Sequence, residues 1–175
     1  MEIDLKKLKK RDIKEFEKLF NIYINRVYSV VYRIIKDHHY SEDITMIVLN
    51  KVWENIIFFR EESKLSTWIY RIAYNTALEF KRSEKIEFSD LNEDIKVEYN
   101  PVEKMDYEEK INIIKRELQK IPEKYSVAIT LHYIDDMSYN DISEIMGIDI
   151  SDVKNYIHRG KDMLKKAIER RKNGI

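Results

Sequence analysis

Two short amphipathic segments flank a single glycine in the C-terminal part of the chain, a pattern typical of a helix-turn-helix. Ser138 and Asp141 have the spacing of a capping box at the start of the first helix. Gly147 stands where a helix can end in the left-handed conformation, and Asp149 with Asp152 repeats the box spacing for the second helix. Both helix boundaries therefore have a local cause in the sequence.

The second helix of this pair is predicted to have two chemically different faces. Its apolar residues recur at helical spacing: Ile150, Val153, Ile157 and Leu164. The opposite face carries polar and basic side chains: Lys154, Asn155, His158, Arg159 and Lys161. Such a face suits the major groove of DNA, although periodicity and capping alone also fit an ordinary helical hairpin with a solvated basic face.

Few residues in this chain interrupt helices, since 175 positions hold three glycines and two prolines. We therefore expect an all-α fold, because a sheet protein needs many turns. The absence of cysteine excludes disulfides, cysteine-based zinc sites and direct thiol switches. The N-terminal sequence lacks an apolar signal-peptide core and the charge content argues against a membrane span, which predicts a cytoplasmic protein with no membrane insertion of its own.

Three helices are predicted in the N-terminal part. Apolar periodicity indicates one long helix from Ile13 to about Asp37. Ser41 is the predicted N-cap of the next helix, and Ser66 of the third. These helices form a predicted first domain over residues 1–83.

The charge is unevenly distributed, although 32 basic and 32 acidic residues sum to zero. Residues 84–105 are acidic and poor in helical pattern, so we interpret them as a flexible linker. The second predicted domain, residues 106–175, starts with a helix whose inward face holds Ile111, Ile114 and Leu118. Its strongly basic C-terminal helix would attract a polyanion even though the whole molecule is neutral.

The third helix pairs an apolar face with a stripe suited to single-stranded DNA. The stripe consists of Thr67, Arg71, Tyr74, Asn75, Leu78 and Arg82, bordered by Trp68. Aromatic rings stack on unpaired bases, arginine binds phosphate, and an asparagine amide can read a base edge. The alternative is that Trp68 and Tyr74 are core aromatics and that Arg71 forms an internal ion pair.

Two sets of motifs, together spanning residues 12–170, carry a family resemblance. The N-terminal set is Ser41-Glu42-Asp43-Ile44, Lys51-Val52-Trp53 and Thr67-Trp68-Ile69-Tyr70-Arg71-Ile72-Ala73-Tyr74-Asn75-Thr76-Ala77. The C-terminal set includes Ile121-Pro122-Glu123-Lys124-Tyr125, Ser138-Tyr139, Asp141-Ile142, Met146-Gly147-Ile148 and His158-Arg159. In this order they resemble the two conserved domains of bacterial extracytoplasmic-function (ECF) RNA polymerase sigma factors, in the sigma-70 family.

The resemblance implies a protein that joins core RNA polymerase and directs promoter-specific initiation. It assigns recognition and melting of the −10 element to the first domain, through Lys64, Ser66, Thr67, Trp68, Arg71 and Asn75. It assigns recognition of the −35 duplex to the second domain, through Lys154, Asn155, His158 and Arg159, and the basic face adds Lys161. Unstacking costs a few kcal/mol, which a pocket and a basic channel can offset without ATP.

The resemblance also places polymerase contacts on the second helix: Asp43, Met46, Ile47, Asn50, Lys51, Trp53 and Glu54. The family usually presents a polar Gln-Glu pair where this chain has Met46 and Ile47, so this part of the surface is apolar here. An anti-sigma partner is also implied, with Met46, Ile47, Leu49 and Trp53 as expected contacts. Such a partner could hold the protein at the membrane.

The sequence contains no pattern that indicates catalysis, a cofactor or a metal site. His38 and His39 are adjacent and cannot easily face one ion, and the other two histidines belong to the second predicted domain. We therefore expect a non-enzyme without cofactors. The alternative function is a stand-alone helix-turn-helix regulator whose N-terminal helices bind an effector or mediate dimerisation.

Overall fold

Eight α-helices follow one another along residues 3–83 and 107–172, the parts of the chain that the computed structural model describes. Their bounds are α1 Leu5–Lys9, α2 Ile13–Ile35, α3 His38–Asn55, α4 Leu65–Ser83, α5 Tyr107–Lys120, α6 Glu123–Ile129, α7 Tyr139–Met146 and α8 Ile150–Lys172. A 3₁₀ turn, Ile56–Phe58, follows α3, and a π-helical turn, Thr130–Ile134, follows α6. These two ranges contain no strand, and the predicted all-α class is confirmed. The predicted linker lies outside the described residues.

The long helix α2 packs against α3 and α4 to form the N-terminal unit. Val27 and Val31 are fully buried, as the apolar periodicity predicted. The apolar period was counted from Ile13, but this residue is 75% exposed in the first helical turn. The helix starts there because the Asp12 carboxylate accepts a hydrogen bond from the Glu15 backbone N–H at 2.9 Å.

Two predicted helix caps are wrong by a few residues. Asp37, not Ser41, caps α3, since its carboxylate accepts from the Tyr40 N–H at 2.9 Å. Ser41 is fully buried inside the first turn of that helix. Helix α4 begins before Ser66, with the Lys64 carbonyl accepting from the Trp68 N–H at 3.0 Å. Serines in a first turn and serines at a cap give similar local patterns, so spacing alone did not separate them.

Helix α1 was not predicted from the sequence because five residues are too few for a clear apolar period. Asp4 caps it by accepting from two backbone N–H groups, and Leu8 is fully buried. The Asp4 N–H in turn donates to the buried Glu15 carboxylate at 2.8 Å, which also pairs with Lys18 at 3.0 Å. The backbone hydrogen bond from Asp4, followed by that from Lys18, lowers the pKa of Glu15. Helix α1 is thereby fastened to α2.

Helix α5 turns a different face inward from the one predicted. Leu118 is buried as expected, but Ile114 is exposed and Ile113 is buried in its place. The inward face also carries Glu117, which is 3% exposed and lies 3.2 Å from Lys120 Nζ and 3.7 Å from an Arg171 nitrogen. Apolar periodicity did not predict this inward face of α5, because the face includes an acidic residue.

The start and the end of α7 form as the sequence predicted, whereas the hydrogen bonds at the start of α8 are backbone bonds and not the predicted second capping box. The Ser138 hydroxyl accepts from the Asp141 N–H at 3.1 Å, and the Asp141 carboxylate accepts from the Ser138 N–H at 3.3 Å, which completes the capping box. Gly147 has φ of 65°, the left-handed conformation that favours glycine. The Asp149 carbonyl then accepts from the N–H groups of Asp152 and Val153 and starts α8.

One apolar core runs through both halves of the molecule. Helix α6 packs against α2, and α7 packs against α4. Val27 of α2 and Ala73 of α4 belong to the same cluster as Leu131, which follows α6, and Ile142 of α7. Arg33 of α2 adds a polar link, because its guanidinium donates to the Lys115 carbonyl of α5 at 3.1 Å. The two predicted domains therefore share a buried interface in this structure.

Gly160 allows α8 to approach α6 closely. A Cβ atom at this position would lie 2.6 Å from Ile129 Cδ1 and 3.1 Å from Tyr125 Cβ. Sequence reasoning did not single out this glycine, since an isolated glycine in a helical pattern gives no sign of which neighbour approaches it. Its close contact fixes the position of the helix that carries the proposed −35 residues.

We expect Gly160→Ala to destabilise the fold by about 1 kcal/mol, because overpacking costs more than the gain in helix propensity. Urea unfolding of the full chain would measure this change. Ile129→Val removes the clashing methyl group, so its cost should be smaller in the Gly160→Ala background than in the wild type. A stabilised Gly160→Ala variant would contradict the close contact.

Candidate nucleic-acid interface

Helix α8 presents the predicted −35 residues to solvent. Exposed side chains on this helix are Lys154, Asn155, His158, Arg159 and Lys161, as predicted. On the opposite face Val153 and Ile157 are buried, but Ile150 is 42% exposed and was wrongly assigned to the core. Ile150 is exposed because it is the first residue of the helix, at the edge of the packed region. The outward face is therefore available to a partner.

Aromatic contacts position the basic face of α8 over α6. The rings of Tyr125 and Tyr156 meet edge to face at 5.4 Å, and Lys124 Nζ lies about 5 Å from both ring centres. A hydrogen bond from Arg159 lowers the pKa of the Tyr125 hydroxyl. His158 Nδ1 lies 3.5 Å from Asp162 Oδ2, one turn further along. His158 therefore has an acidic neighbour on its own helix.

The predicted −10 residues on α4 are divided between solvent and the interface with α7. Arg71 and Asn75 are exposed, but Thr67 is fully buried. Trp68 is half-buried with its ring 5.1 Å from that of Phe59, which agrees with the alternative of a packed aromatic. Tyr70 is 1% exposed and has the structural role expected of it.

The carboxylate of Asp141 joins α4 to the helix-turn-helix. Its Oδ2 lies 2.8 Å from Lys64 Nζ, and its Oδ1 accepts from the Thr67 hydroxyl at 2.9 Å. The Ser138 hydroxyl donates to the same group at 2.6 Å. Burial raises the pKa of the Asp141 carboxyl, but the hydrogen bonds from Lys64, Ser138 and Thr67 outweigh it and lower that pKa to about 2. Asp141 is therefore an anion at neutral pH.

Further ion pairs connect the same two halves. Arg71 lies 3.1 Å from Glu144 of α7, which is the internal ion pair raised as an alternative for this arginine. Lys81 near the end of α4 pairs with Glu123 at the start of α6. Because Glu144 follows Asp141 by three residues, both carboxylates lie on the same side of α7 and meet α4 together.

A second polar cluster lies where α2 and α4 meet the π-helical turn. Tyr23 of α2 and Tyr70 of α4 pack edge to face at 6.3 Å, next to Asp135 at the end of the π-helical turn. Burial raises the pKa of Asp135, although Tyr70 and Arg26 oppose the shift. Burial also raises the pKa of Tyr70. Polar side chains as well as apolar ones therefore lie at the interface between the two halves.

The predicted polymerase surface on α3 is largely exposed. Exposed members are Asp43, Met46, Ile47, Asn50 and Glu54, and half-buried members are Lys51 and Trp53. Leu49 is 1% exposed, so it fills the core and was wrongly expected to contact an anti-sigma partner. It projects from the inward side of α3.

A shallow groove adjoins α3 and α4. Its lining includes Lys51, Phe58, Trp68 and Ile72. Phe58 is 70% exposed and was not among the predicted contact residues, because it belongs to no helix with an apolar period. The exposed Phe58 ring therefore lies next to Lys51, a predicted polymerase contact, and Trp68, a predicted −10 residue.

The histidine nearest the end of α2 has aromatic partners. The Tyr28 hydroxyl lies 2.7 Å from His38 Nδ1, and that of Tyr32 lies 3.2 Å from His38 Nε2.

Within residues 3–83 and 107–172 no cluster of histidine and acidic side chains suits a metal ion. The helices described in these ranges also include none that is both long and apolar enough to cross a membrane.

Comparisons with known proteins match both halves of the chain. The sequence model of Sigma-70 region 2 matches residues 19–86, and that of Sigma-70 region 4 matches residues 111–164. The chain is 31% identical over 179 residues to the ECF RNA polymerase sigma factor SigW of Bacillus subtilis, covering 94% of each chain. This protein belongs to the ECF RNA polymerase sigma factors. Sigma factors support promoter-directed transcription initiation and are not catalysts themselves.

More distant relatives agree with this assignment. The sigma factor is 27% identical over 177 residues to the ECF RNA polymerase sigma-E factor of Escherichia coli, covering 94% of this chain and 92% of that one. Its fold resembles that of the sigma factor RpoE from Bartonella quintana, solved with the anti-sigma factor NepR, with a TM-score of 0.67 and 22% identity. That similarity covers 89% of this sigma factor and 98% of the solved chain.

Proposed function

We propose that this sigma factor binds core RNA polymerase through the exposed face of α3 and selects promoters with two separate surfaces on α4 and α8. The observation that carries the proposal is the exposed polar and basic face of α8, in a chain whose two halves match Sigma-70 regions 2 and 4. The helix-turn-helix supplies a helix of the size that a major groove accepts. No comparable observation supports the alternative function, that of a stand-alone helix-turn-helix regulator.

The proposed −10 surface consists of Lys64, Ser66, Thr67, Trp68, Arg71 and Asn75. Arg71 and Asn75 are exposed and lie four residues apart on α4, so one can contact phosphate while the other reads a base. The half-buried Trp68 leaves part of its ring for stacking. The groove beside Phe58 adds an apolar surface next to this set.

We assign the domains as residues 1–83 for polymerase and −10 contacts, 84–105 as a linker, and 106–175 for −35 contacts. An anti-sigma protein is a proposed partner, as in the Bartonella complex, and Met46, Ile47 and Trp53 are its proposed contacts. Since core polymerase and promoter DNA are the proposed binding partners, the proposed location is the bacterial cytoplasm. An anti-sigma partner in the membrane would hold the protein there.

The proposal is tested by reconstitution with core RNA polymerase, and initiation from a specific promoter is expected. Arg71→Ala combined with Asn75→Ala should impair strand opening more than core binding, because the proposed contacts are unpaired bases and backbone. Permanganate footprinting at equal holoenzyme occupancy measures the opening. Normal opening by the double variant would remove both residues from the melting role, and no initiation by the wild-type holoenzyme on any promoter would contradict the function itself.

We expect Ile47→Glu to weaken core binding by about tenfold, because it places a charge on a proposed apolar contact. Ile47 is 47% exposed, so the variant should remain folded, as circular dichroism would show. Ile13→Glu is a matched control, since it makes the same change at a residue that is 75% exposed on α2. Equal core affinity for the two variants in a titration with labelled sigma factor would contradict the assignment of Ile47.

We expect the residues of α8 to divide into base readers and phosphate anchors. Asn155→Ala should change the preference among −35 sequences, because loss of a base contact removes about 1–3 kcal/mol of discrimination. Lys154→Ala should weaken all duplexes similarly and reduce the salt slope by about one. Binding of the holoenzyme to a −35 substitution library at several salt concentrations measures both effects. The same uniform loss for both variants would contradict this division.

A further inference from the structure

The N-terminal segment that contains α1 concentrates positive charge in a chain that is neutral overall. From Asp4 to Lys14 the sequence holds six basic residues and two acidic ones. Lys6, Lys10 and Lys14 are exposed, and none of them forms an ion pair within the part of the chain that the structure describes. The sequence model of Sigma-70 region 2 matches residues 19–86, so the family match assigns no role to these lysines.

The basic side of α1 is opposite to the side that packs. Leu8 is fully buried, and Lys6 and Lys10 stand two residues before and after it, on the other side of the helix. The two lysines are four residues apart, so their side chains share one face. Lys7 is also exposed, but its charge acts on the carboxylate of Glu15. Lys6 and Lys10 thus present two unpaired cations on the outward face of α1.

Helix α1 is fastened to the end of α3 and to the loop before α4. It packs against the 3₁₀ turn that follows α3, and Lys9 Nζ lies 2.6 Å from Glu61 Oε1 in the loop. The Arg11 guanidinium lies 5.6 Å from the ring centre of Trp53 and donates to the Glu54 carbonyl at 3.4 Å. The exposed lysines therefore occupy a defined position in the fold.

This position borders the proposed −10 surface. Lys9 Nζ lies 5.9 Å from the ring centre of Phe59, and the Phe59 ring lies 5.1 Å from that of Trp68. Phe59 is therefore in contact with α1 on one side and with a proposed −10 residue on the other. Because a DNA strand carries one negative charge per nucleotide, a strand that leaves Trp68 in the direction of Phe59 brings phosphates to α1.

We propose that Lys6, Lys10 and Lys14 bind the phosphate backbone of promoter DNA beside the −10 element and extend the −10 surface onto α1. The inference rests on the proposed −10 assignment of Trp68. Lysine binds phosphate as a point charge, so α1 adds affinity and positions the strand without reading bases. Neutralisation of phosphates by such cations releases counterions, which makes the contact sensitive to salt.

The test uses the full-length chain in the holoenzyme, with three lysines of the basic segment changed together. The α1 variant combines Lys6→Gln, Lys10→Gln and Lys14→Gln. Glutamine removes each charge and has nearly the helix propensity of lysine, so circular dichroism should show a folded protein. The control variant makes the same change at three exposed lysines near the other end of α2, where Arg33 contacts α5: Lys36→Gln, Lys110→Gln and Lys115→Gln.

The probe is a fluorescent fork junction from a promoter that the reconstituted holoenzyme uses. Its −35 element and spacer are double-stranded, and its non-template −10 strand is single-stranded, so strand opening does not limit binding. At about 0.1 M salt we expect the α1 variant to bind the probe about tenfold more weakly than the control variant does, because phosphate contacts are lost. The slope of log affinity against log salt should be smaller by about two, since each contact with a single strand contributes about 0.7.

The affinity for core RNA polymerase should be equal for the two variants. A core affinity that falls with the probe affinity would mean that α1 binds an acidic surface of the polymerase, and this would overturn the proposal. Equal affinity of the two variants for the probe, at every salt concentration, would overturn it too.

Neutral phosphates locate the contact on the DNA. Short blocks of methylphosphonate are placed in turn along the non-template −10 strand and its flanks. We expect one block beside the −10 element to weaken binding by the control variant about tenfold and to leave binding by the α1 variant unchanged, because the contact it removes is already absent there. If every block weakens both variants equally, the lysines of α1 do not bind the backbone and the proposal is wrong.

The double variant Arg71→Ala with Asn75→Ala separates this failure from failure of the −10 assignment. If the double variant impairs strand opening while the α1 variant binds the probe as the control does, only the α1 contact is wrong. If the double variant opens promoters normally, the −10 assignment itself is wrong.

Discussion

The continuous apolar core between the two halves is the constraint on which the rest of this structure depends. Leu131 and Ile142 are buried in the same cluster as Val27 and Ala73, so neither half completes its core independently in this arrangement. Apolar contacts are not directional and alone would not fix the register between α4 and α7. The hydrogen bonds and ion pairs of polar groups around the core, those of Asp141 above all, fix this register.

Asp141 combines a local role with a long-range one. Within α7 it completes the capping box with Ser138, and across the interface it binds Lys64 and Thr67. A buried carboxylate is costly unless its oxygens are satisfied, and here donors from two halves of the chain satisfy them. The same carboxylate therefore serves the cap of α7 and the contact with the other half of the chain.

The two proposed DNA-binding surfaces differ in how they are held in the fold. On α8 the position of the helix is fixed from beneath by Gly160 and the Tyr125–Tyr156 pair, and its outer face is exposed. On α4 the exposed Asn75 lies on the same helix as the fully buried Thr67. The proposed −35 residues thus all lie on an exposed helix face, whereas the proposed −10 residues are divided between solvent and the interface with α7.

The sequence by itself determined the all-α class, the capping box at Ser138, the left-handed end at Gly147 and the outward face of α8, because each depends on residues within a few positions of one another. Local pattern did not separate Asp37 from Ser41 as a cap, nor Ile113 from Ile114 as the buried residue, because packing against other helices chose between near-equal alternatives. Only the tertiary structure decided that Arg71 pairs with Glu144 and that Thr67 is buried, since these partners are more than seventy residues apart in the chain.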